Sequence, residues 1–420
     1  MKQAFVLQMR MIRNNMPALF QKYISGDKCV FRKVLFWAHL SCGVVAGFAI
    51  FTMCLTGVLL TYEVQIEDWV AGTAYVPVEE QQNRLSLEEL HAIAVAQNPD
   101  LAEGSVIVDR NSGAPVTIRA GRRGGLQLNP YTGEEMAPAA PWLNAFFSDI
   151  TGFHRWFNAS SENRRIPRLI IGISNLMFVF IIVSGIYLWL PKIWNWAVVR
   201  SRLLLDRKGY PTSKARDFTW HHVFGIWCAI PLFILATTGS MFSFRWTGDL
   251  LYSAFGTDRS GSNLMVEEVI PETLPNGGAS LSLDQLFESA ESFSPDWQAI
   301  TLTVPQGDLA ASNAVVDRGN GRMPQLRDTL TLDRVDGEIV AVAAFETLPI
   351  NQRIRSVYRF LHTGEFLGVF GQTVAGLVSL FGAIMVWTGL ALAYRRLLQP
   401  LLNRRRPVLQ SGNKNQAVQS

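Results

Sequence analysis

The chain has 420 residues, of which 49% are hydrophobic and 17% charged, and its formal net charge is +4 at pH 7. Its mean hydropathy is +0.15, which is too apolar for an ordinary soluble protein of this length and typical of a membrane protein with soluble parts. The positive charge lies at the ends of the apolar stretches, so it indicates contact with anionic lipid and no binding of nucleic acid.

Four apolar stretches are long enough to cross a membrane as helices, since about 20 residues span the hydrocarbon layer. They cover residues 34–62, 167–190, 218–244 and 368–393. Their interiors contain no Lys, Asp or Glu, which argues against the alternative of buried helices in a soluble protein. The sequence therefore predicts four transmembrane helices that form a bundle.

The lysines predict the orientation of the chain in the membrane. All of them lie before the first stretch, between the second and third, or after the fourth: Lys2, Lys22, Lys28, Lys33, Lys192, Lys208, Lys214 and Lys414. By the positive-inside rule, segments 1–33, 191–217 and 394–420 are cytoplasmic. Residues 63–166 and 245–367 then face the other side of the membrane.

These two outer segments repeat each other. The Leu-Ser-Leu-Glu-Glu-Leu motif at 85–90 matches Leu-Ser-Leu-Asp-Gln-Leu at 281–286, and in each the Ser is a candidate helix N-cap. A turn motif ending in Gly-Glu follows in both, at 128–134 and 332–338, after short alternating stretches typical of strands. We expect two small α+β modules, at 63–150 and 245–350, and an internal duplication of the whole chain.

The spans carry a second repeated pattern that contains histidine. A histidine is followed by glycine four residues later and by Thr-Gly seventeen residues later, as His39, Gly43 and Thr56-Gly57, and again as His221, Gly225 and Thr238-Gly239. A further histidine, His154 or His362, precedes the next apolar stretch, in segments 151–166 and 351–367. Four of the six histidines belong to this pattern.

Two of these histidines lie at matching depths. His39 is about 9 Å past Lys33 along a helix and His221 is about 7.5 Å past Arg216, at 1.5 Å per residue. They are candidates to hold one b-type haem between them near the cytoplasmic side, and Gly43 and Gly225 leave room for a flat macrocycle. The alternative is a hydrogen bond between helices. His222 is the competing ligand, but it lacks the four-residue spacing to glycine.

His154 and His362 are predicted to hold a second haem at the outer face. Both are too far from the cytoplasmic end for one straight helix, so we expect breaks after them. The residues that favour a break are Asn158 and Pro167 in the first copy and Gly364, Gly368 and Gly371 in the second. The alternative is that these are surface histidines that bond to a loop.

Arginines follow or precede the two outer histidines closely. Candidates to contact haem propionates or an anionic iron chelate are Arg155, Arg165, Arg168, Arg355 and Arg359. For a single arginine at a membrane surface, an interfacial position without ligand is the alternative.

Together, the histidine spans, the repeated outer motifs and the Phe-His-Arg-Trp-Phe and Leu-His-Thr-Gly-Glu-Phe-Leu-Gly segments resemble the PepSY-associated transmembrane-helix proteins of bacterial inner membranes. The resemblance covers about residues 33–395. It implies a four-helix transmembrane bundle with two PepSY-like periplasmic modules. Within that family the chain is similar to the dihaem ferrisiderophore reductases, which hold two b-type haems.

The sequence thus predicts an inner-membrane electron-transfer protein with two b-type haems, held by His39, His221, His154 and His362, that reduces a periplasmic ferric siderophore or other iron chelate. The electron donor would be a quinol or a cytoplasmic reductant. Two alternatives are a haem relay to another periplasmic reductase and a non-enzymatic PepSY-type accessory protein in which the histidines serve packing.

Overall fold

The computed structural model describes residues 18–77, 80, 83–121, 125–192, 194–206, 209–260, 274, 280–307 and 309–404. Residues 1–17 and 405–420 of the two predicted cytoplasmic ends lie outside the described residues, as do Lys2, Lys208 and Lys414. Within the described residues the protein is mostly helical, with one antiparallel sheet.

The helices alternate in length along the chain, with long apolar helices separated by short ones. In chain order they are α1 (Ala18–Leu59), α2 (Glu63–Gly72), α3 (Leu87–Gln97), α4 (Pro141–Trp156), α5 (Arg165–Trp189), α6 (Trp196–Leu203), α7 (Ser213–Ser243), α8 (Arg245–Ala254), α9 (Leu283–Ser292), α10 (Ile350–Thr363), α11 (Gly368–Leu397) and α12 (Gln399–Arg404). Among the described residues, four stretches can cross a membrane by length and composition: Val30–Gly72, Arg165–Trp189, Ser213–Ser243 and Glu365–Asn403. The first and fourth include their predicted spans, and the second and third each end one residue before the predicted end.

The chain divides into two compact units. The helix unit comprises Met1–Leu55, Leu169–Ala236 and Val378–Ser420. Its small buried core joins Ala46, Ile50 and Cys54 of α1 to Ala383 of α11, and aromatic and aliphatic side chains of α5 pack around them. Small residues at these contacts let the helices approach closely, as is common between membrane helices.

The sheet unit comprises Thr56–Arg168 and Thr237–Leu377. Its described residues form seven antiparallel strands: β1 (Ser105–Asp109), β2 (Val116–Arg119), β3 (Leu126–Leu128), β4 (Ala299–Thr303), β5 (Ala311–Asp317), β6 (Arg327–Asp333) and β7 (Ile339–Ala344). Their order in the sheet is β3-β2-β1-β4-β5-β6-β7. The strands predicted within the two modules are therefore parts of a single sheet.

The centre of that sheet is the pairing of β1 with β4. Val106 lies opposite Leu302 and Val108 opposite Ile300, and all four side chains are buried. With α3 and α9 they belong to one continuous hydrophobic core. Each such side chain contributes about 1.5–3 kcal/mol on burial. The strands of the two predicted modules therefore share one hydrophobic core.

Helices α3 and α9 begin in the same way. Ser86 and Ser282 are N-caps with complete capping boxes, as the sequence predicts for both serines. Each helix also caps the other: the Leu87 N–H donates to the Asp284 carboxylate at 3.1 Å, and the Leu283 N–H donates to Glu88. The two carboxylates are therefore close, and the pKa of Asp284 is raised to about 6, first by desolvation and then by Glu88.

The chain breaks between each outer histidine and the span that follows it. Helix α4 ends at Trp156, and Phe157 and Asn158 take left-handed conformations with φ of 50° and 54°. Pro167 lies in the first turn of α5, where a proline is tolerated, so the first break comes before it. In the second copy Gly364, with φ of 80°, ends α10. His154 and His362 are thus in the last turns of short helices.

Candidate functional site

The helix unit contains a cavity of about 860 Å³, within the range of small-molecule and cofactor sites. Its walls come from α1, α5, α7 and α11, and His39, His221 and His222 are among the lining residues. Both histidines predicted to share the inner haem therefore border the same cavity, and so does their competitor.

The ring of His39 is oriented by a hydroxyl of another helix. His39 Nδ1 lies 2.9 Å from Ser184 Oγ. The hydroxyl of Ser184 donates its own hydrogen to the Phe180 carbonyl at 2.7 Å, so its oxygen accepts from the Nδ1–H of His39. The unprotonated nitrogen is then Nε2, which is the form that binds a metal.

The ring of His221 is held in the same way from α11. Its Nδ1 lies 3.1 Å from the Met385 carbonyl and 3.3 Å from Thr388 Oγ1. A carbonyl only accepts, so Nδ1 carries the hydrogen and Nε2 is again the ligating nitrogen. His221 and His39 thus share one tautomer, and each is oriented from a neighbouring helix.

His222 differs in its partner. Its Nδ1 bonds the carbonyl of Phe218, one turn back in its own helix, at 2.8 Å. The ring centroids of His221 and His222 are 6.3 Å apart. Adjacent residues of one helix point about 100° apart, so the two rings face different directions. This geometry favours His221 over His222 as the partner of His39.

Four glycines shape the space around the inner histidines. A Cβ at Gly185 would lie 3.3 Å from Cε1 of His39, and a Cβ at Gly389 would lie 3.1 Å from Cε1 of His221. These two glycines make room for the imidazoles. A Cβ at Gly43 would meet nothing within 4 Å, whereas one at Gly225 would lie 3.7 Å from Sδ of Met385, an ordinary contact. Both glycines line the cavity, but only Gly43 faces open space that a flat group could use.

Only basic residues contribute charge to the cavity wall in the described part of the chain: Arg32, Lys33, Lys192, Arg202, Lys214, Arg395 and Arg396. Some of these cations have structural partners. Arg32 donates to the Leu188 carbonyl at 2.6 Å and Arg202 to that of Trp189, so both cap the end of α5. Arg395 pairs with the Asp217 carboxylate at 2.6 Å. The positive charge of the lysines and of Arg396 suits an anionic group at the wall, such as a haem propionate.

The sheet unit brings the two outer histidines together. The ring centroids of His154 and His362 are 6.3 Å apart, and the ring planes are inclined by 60°. The two residues come from α4 and α10, at the ends nearest the following spans. Both side chains are partly buried.

This separation fits an iron ion between the rings. A metal–nitrogen bond of about 2.0–2.1 Å and the roughly 1.1 Å from a ring nitrogen to its centroid place two ligating imidazoles about 6.2–6.4 Å apart. In the described part of the chain no group of three or more His, Cys, Asp or Glu side chains is placed to hold a bare metal ion. Haem iron needs only two protein ligands, so a histidine pair suffices.

Threonines of the repeated Thr-Gly motif orient the outer rings. Thr56 Oγ1 lies 2.9 Å from Nδ1 of His154, and Thr238 Oγ1 lies 3.3 Å from Nδ1 of His362. With Nδ1 of each ring bonded, Nε2 is the nitrogen that would bind iron. Phe242 packs edge-on against His362 at a centroid distance of 5.4 Å.

The arginines near the outer pair differ in the contacts that their side chains make. Arg155 and Arg164 lie over the ring of Trp156, at 4.8 and 4.4 Å from its centroid, and Arg168 donates to the Phe242 carbonyl at 2.8 Å. Arg165 is exposed and Arg355 is half-buried.

The charge around Arg155 is positive. The pKa of its guanidinium lies below the ordinary value, first because of desolvation and then because of like charges nearby. These neighbours are Arg168, Arg359 and Arg164. A bound anion would relieve their repulsion. Four of the cations near His154 and His362 are thus placed to favour an anionic ligand.

The hydroxyl partners of the histidines were not predicted. Thr56 and Thr238 were recognised only as parts of the repeated pattern, and Ser184 and Thr388 were passed over. The signal was present, because Ser184-Gly185 and Thr388-Gly389 repeat the hydroxyl–glycine pair of the other two spans. What the sequence lacks is the information that this pair meets an imidazole of another helix.

A family model described as the PepSY-associated TM region matches residues 36–396 of the chain. The match covers all four apolar helices, the sheet and both histidine pairs. No curated protein matches the sequence.

Proposed function

The chain belongs to the family of the PepSY-associated TM region, and we propose that this member is a bacterial inner-membrane protein with two b-type haems that reduces a periplasmic ferric siderophore or related iron chelate. The observation that carries the proposal is the outer histidine pair. Two imidazoles from separate helices lie close enough to bind one iron ion between them, and each has its Nδ1 bonded to a threonine.

The orientation in the proposal follows from the lysines. With both termini and residues 191–217 in the cytoplasm, the sheet and the His154–His362 pair are periplasmic. The proposal includes an internal duplication with one PepSY-like module in each half. It is supported by the capping box found in each half and by the histidine pattern that occurs twice.

Each histidine pair has a distinct part. His39 and His221 would hold the inner haem, on the side of a quinol or cytoplasmic electron donor, and His154 and His362 would hold the outer haem, on the side of the chelate. When bound, each haem supplies a one-electron carrier whose potential the protein sets. The chain contributes the ligands, their orientation and a basic environment.

Reduction releases the metal because the two oxidation states prefer different ligands. One electron converts Fe(III) to Fe(II), which binds hard oxygen ligands more weakly. Arg155, Arg168 and Arg359 would stabilise the propionates or an anionic chelate, and we assign Arg165 and Arg355 the same role. The basic wall of the inner cavity holds the propionates of the inner haem.

The test is ferric chelate reduction by the purified protein in proteoliposomes that are supplied with a reduced quinol as electron donor, followed with a ferrous-specific dye. We expect activity in the unsubstituted protein, loss in His154→Ala and His362→Ala, and no loss in His91→Ala. His91 lies outside both pairs and bonds the Leu101 carbonyl. Haem content is measured for each variant. Full activity in a His154→Ala protein that has lost its outer haem would show that substrate is reduced elsewhere.

A further inference from the structure

One dipeptide recurs in every predicted span. A hydroxyl residue followed by glycine occurs once in each of the apolar stretches 34–62, 167–190, 218–244 and 368–393. The four copies are Thr56-Gly57, Ser184-Gly185, Thr238-Gly239 and Thr388-Gly389. We call their side chains the four hydroxyls.

Each of the four hydroxyls meets one imidazole. Ser184 and Thr388 lie 2.9 and 3.3 Å from Nδ1 of the two inner histidines. Thr56 and Thr238 lie 2.9 and 3.3 Å from Nδ1 of the two outer histidines. The atom contacted is Nδ1 in every case.

The pairing also follows the sequence repeat. In the first half His39 pairs with Ser184, and His154 with Thr56. In the second half His221 pairs with Thr388, and His362 with Thr238. Each half therefore orients its own two histidines, while each proposed haem takes one histidine from either half.

We infer that the four hydroxyls are positioning residues for the haem ligands. Ser184, Thr56 and Thr238 accept the Nδ1–H of their histidines, which fixes the ring angle and leaves Nε2 as the ligating nitrogen. Thr388 shares the Nδ1–H of His221 with the nearer Met385 carbonyl, at 3.3 against 3.1 Å, so Thr388→Val should give the smallest shift of the four. The acceptor role is already set for Ser184 and Thr388, because both donate their own hydrogen to carbonyls of their helices, Phe180 and Ile384. This inference rests on the proposed function.

The arrangement has a consequence for redox chemistry. A hydrogen bond from Nδ1–H makes the imidazole more basic at Nε2, and a more basic ligand stabilises Fe(III) over Fe(II). Removal of one hydroxyl should therefore raise the midpoint potential of the haem that its histidine binds, and only of that one. It should also weaken haem binding at that site by about 10–100-fold, as is usual when the hydrogen-bond partner of a ligand is lost.

The substitutions that test this remove the hydroxyl and keep the shape. They are Thr56→Val, Thr238→Val, Thr388→Val and Ser184→Ala. Thr56→Ser restores a hydroxyl and should restore the potential. The matched control is Thr52→Val, one turn away in the same helix, where Thr52 Oγ1 donates to the carbonyl of Phe48 at 3.0 Å.

Redox titration and low-temperature electron paramagnetic resonance of the full-length protein provide the readouts. We expect Thr56→Val and Thr238→Val to shift the outer haem alone, Ser184→Ala and Thr388→Val to shift the inner haem alone, and Thr52→Val to shift neither. Unchanged potentials and g values in all four variants, with haem content retained, would overturn the inference while leaving the proposed function intact.

A second readout does not depend on haem. In ¹⁵N-histidine-labelled protein, each of the four substitutions should change the Nδ1–H signal of one histidine. If the unsubstituted protein binds no haem, the proposed function fails, and these spectra still decide whether the hydroxyls accept from Nδ1. Signals that are the same in the variants and in the unsubstituted protein would overturn the inference.

Discussion

The two histidine pairs are built differently. In the helix unit, His39 and His221 belong to long helices and border a preformed cavity whose walls include four glycines. In the sheet unit, His154 and His362 are in the last turns of helices of 16 and 14 residues. The first pair is therefore defined mainly by the space between packed helices. The second is defined by where two short helices end, so different substitutions should damage each.

The largest expected effect comes from removal of a ligand. His39→Ala or His221→Ala should abolish the inner haem and retain the outer one, and His154→Ala or His362→Ala should do the reverse. A lost axial ligand leaves iron with one protein bond at that site. Reduced-minus-oxidised spectra and haem-to-protein ratios measure the outcome.

His222→Ala is the matched control, because this ring bonds its own helix and is adjacent to the assigned ligand. It should retain both haems. Loss of the inner haem in His222→Ala with retention in His221→Ala would reverse the assignment.

Glycine substitutions should separate the two pairs by mechanism. Gly389→Val places side-chain atoms against the His221 ring, where a Cβ alone would be 3.1 Å away, so we expect loss of the inner haem. Gly364→Ala forces alanine into φ of 80°, against the Gly371 backbone, at a cost of about 1–2 kcal/mol. It should displace the end of α10 and weaken the outer haem alone.

The control for both is Gly72→Ala, because a Cβ at Gly72 would meet nothing within 4 Å. It should leave haem content unchanged. Equal loss of both haems in Gly364→Ala and Gly389→Val would contradict the view that the pairs depend on separate local features.

Smaller effects are expected from the arginines near the outer pair. Arg155→Ala and Arg359→Ala should lower the rate with anionic chelates about 2–5-fold and that with neutral chelates less, as the modest energies of exposed charges imply. Arg165→Ala should act more weakly, because Arg165 is not among the cations that lower the pKa of Arg155. Added salt should reduce the difference. Equal effects on anionic and neutral chelates would assign these arginines to haem or lipid instead.

The sequence predicted the histidines of each pair and the helices around them better than it predicted the contacts between distant segments. Apolar length sufficed for the four helices, and the serine motifs sufficed for the starts of α3 and α9. The merging of the strands into one sheet was not predicted, because the β1–β4 pairing joins residues almost two hundred positions apart and no local pattern reports it. The hydroxyl partners were missed for the same reason, since a contact between helices leaves no periodic signature.

The smallest expected effect is on the pH dependence of the stability of the sheet unit. The pKa of Asp284 is raised to about 6, so the folded protein binds more protons than the unfolded chain between about pH 4 and 6, and stability falls as pH rises through that range. Asp284→Asn keeps the acceptor for the Leu87 N–H and should remove this dependence. Hydrogen exchange of residues 281–293 at several pH values measures it.

The control has the opposite sign. Hydrogen bonds from Ser294 lower the pKa of Asp296, so its contribution is lost as pH falls, and Asp296→Asn should not remove the decline between pH 4 and 6. An unchanged pH profile in Asp284→Asn would show that the carboxylate pair does not govern it. Neither variant should alter the haems.

The central claim is that the two differently built pairs each hold one haem. The most direct measurement is a pyridine haemochrome assay on purified, full-length protein, with the polypeptide quantified by amino-acid analysis. The account predicts close to two b-type haems per chain. A well-folded preparation that binds none after expression with ample haem would contradict it.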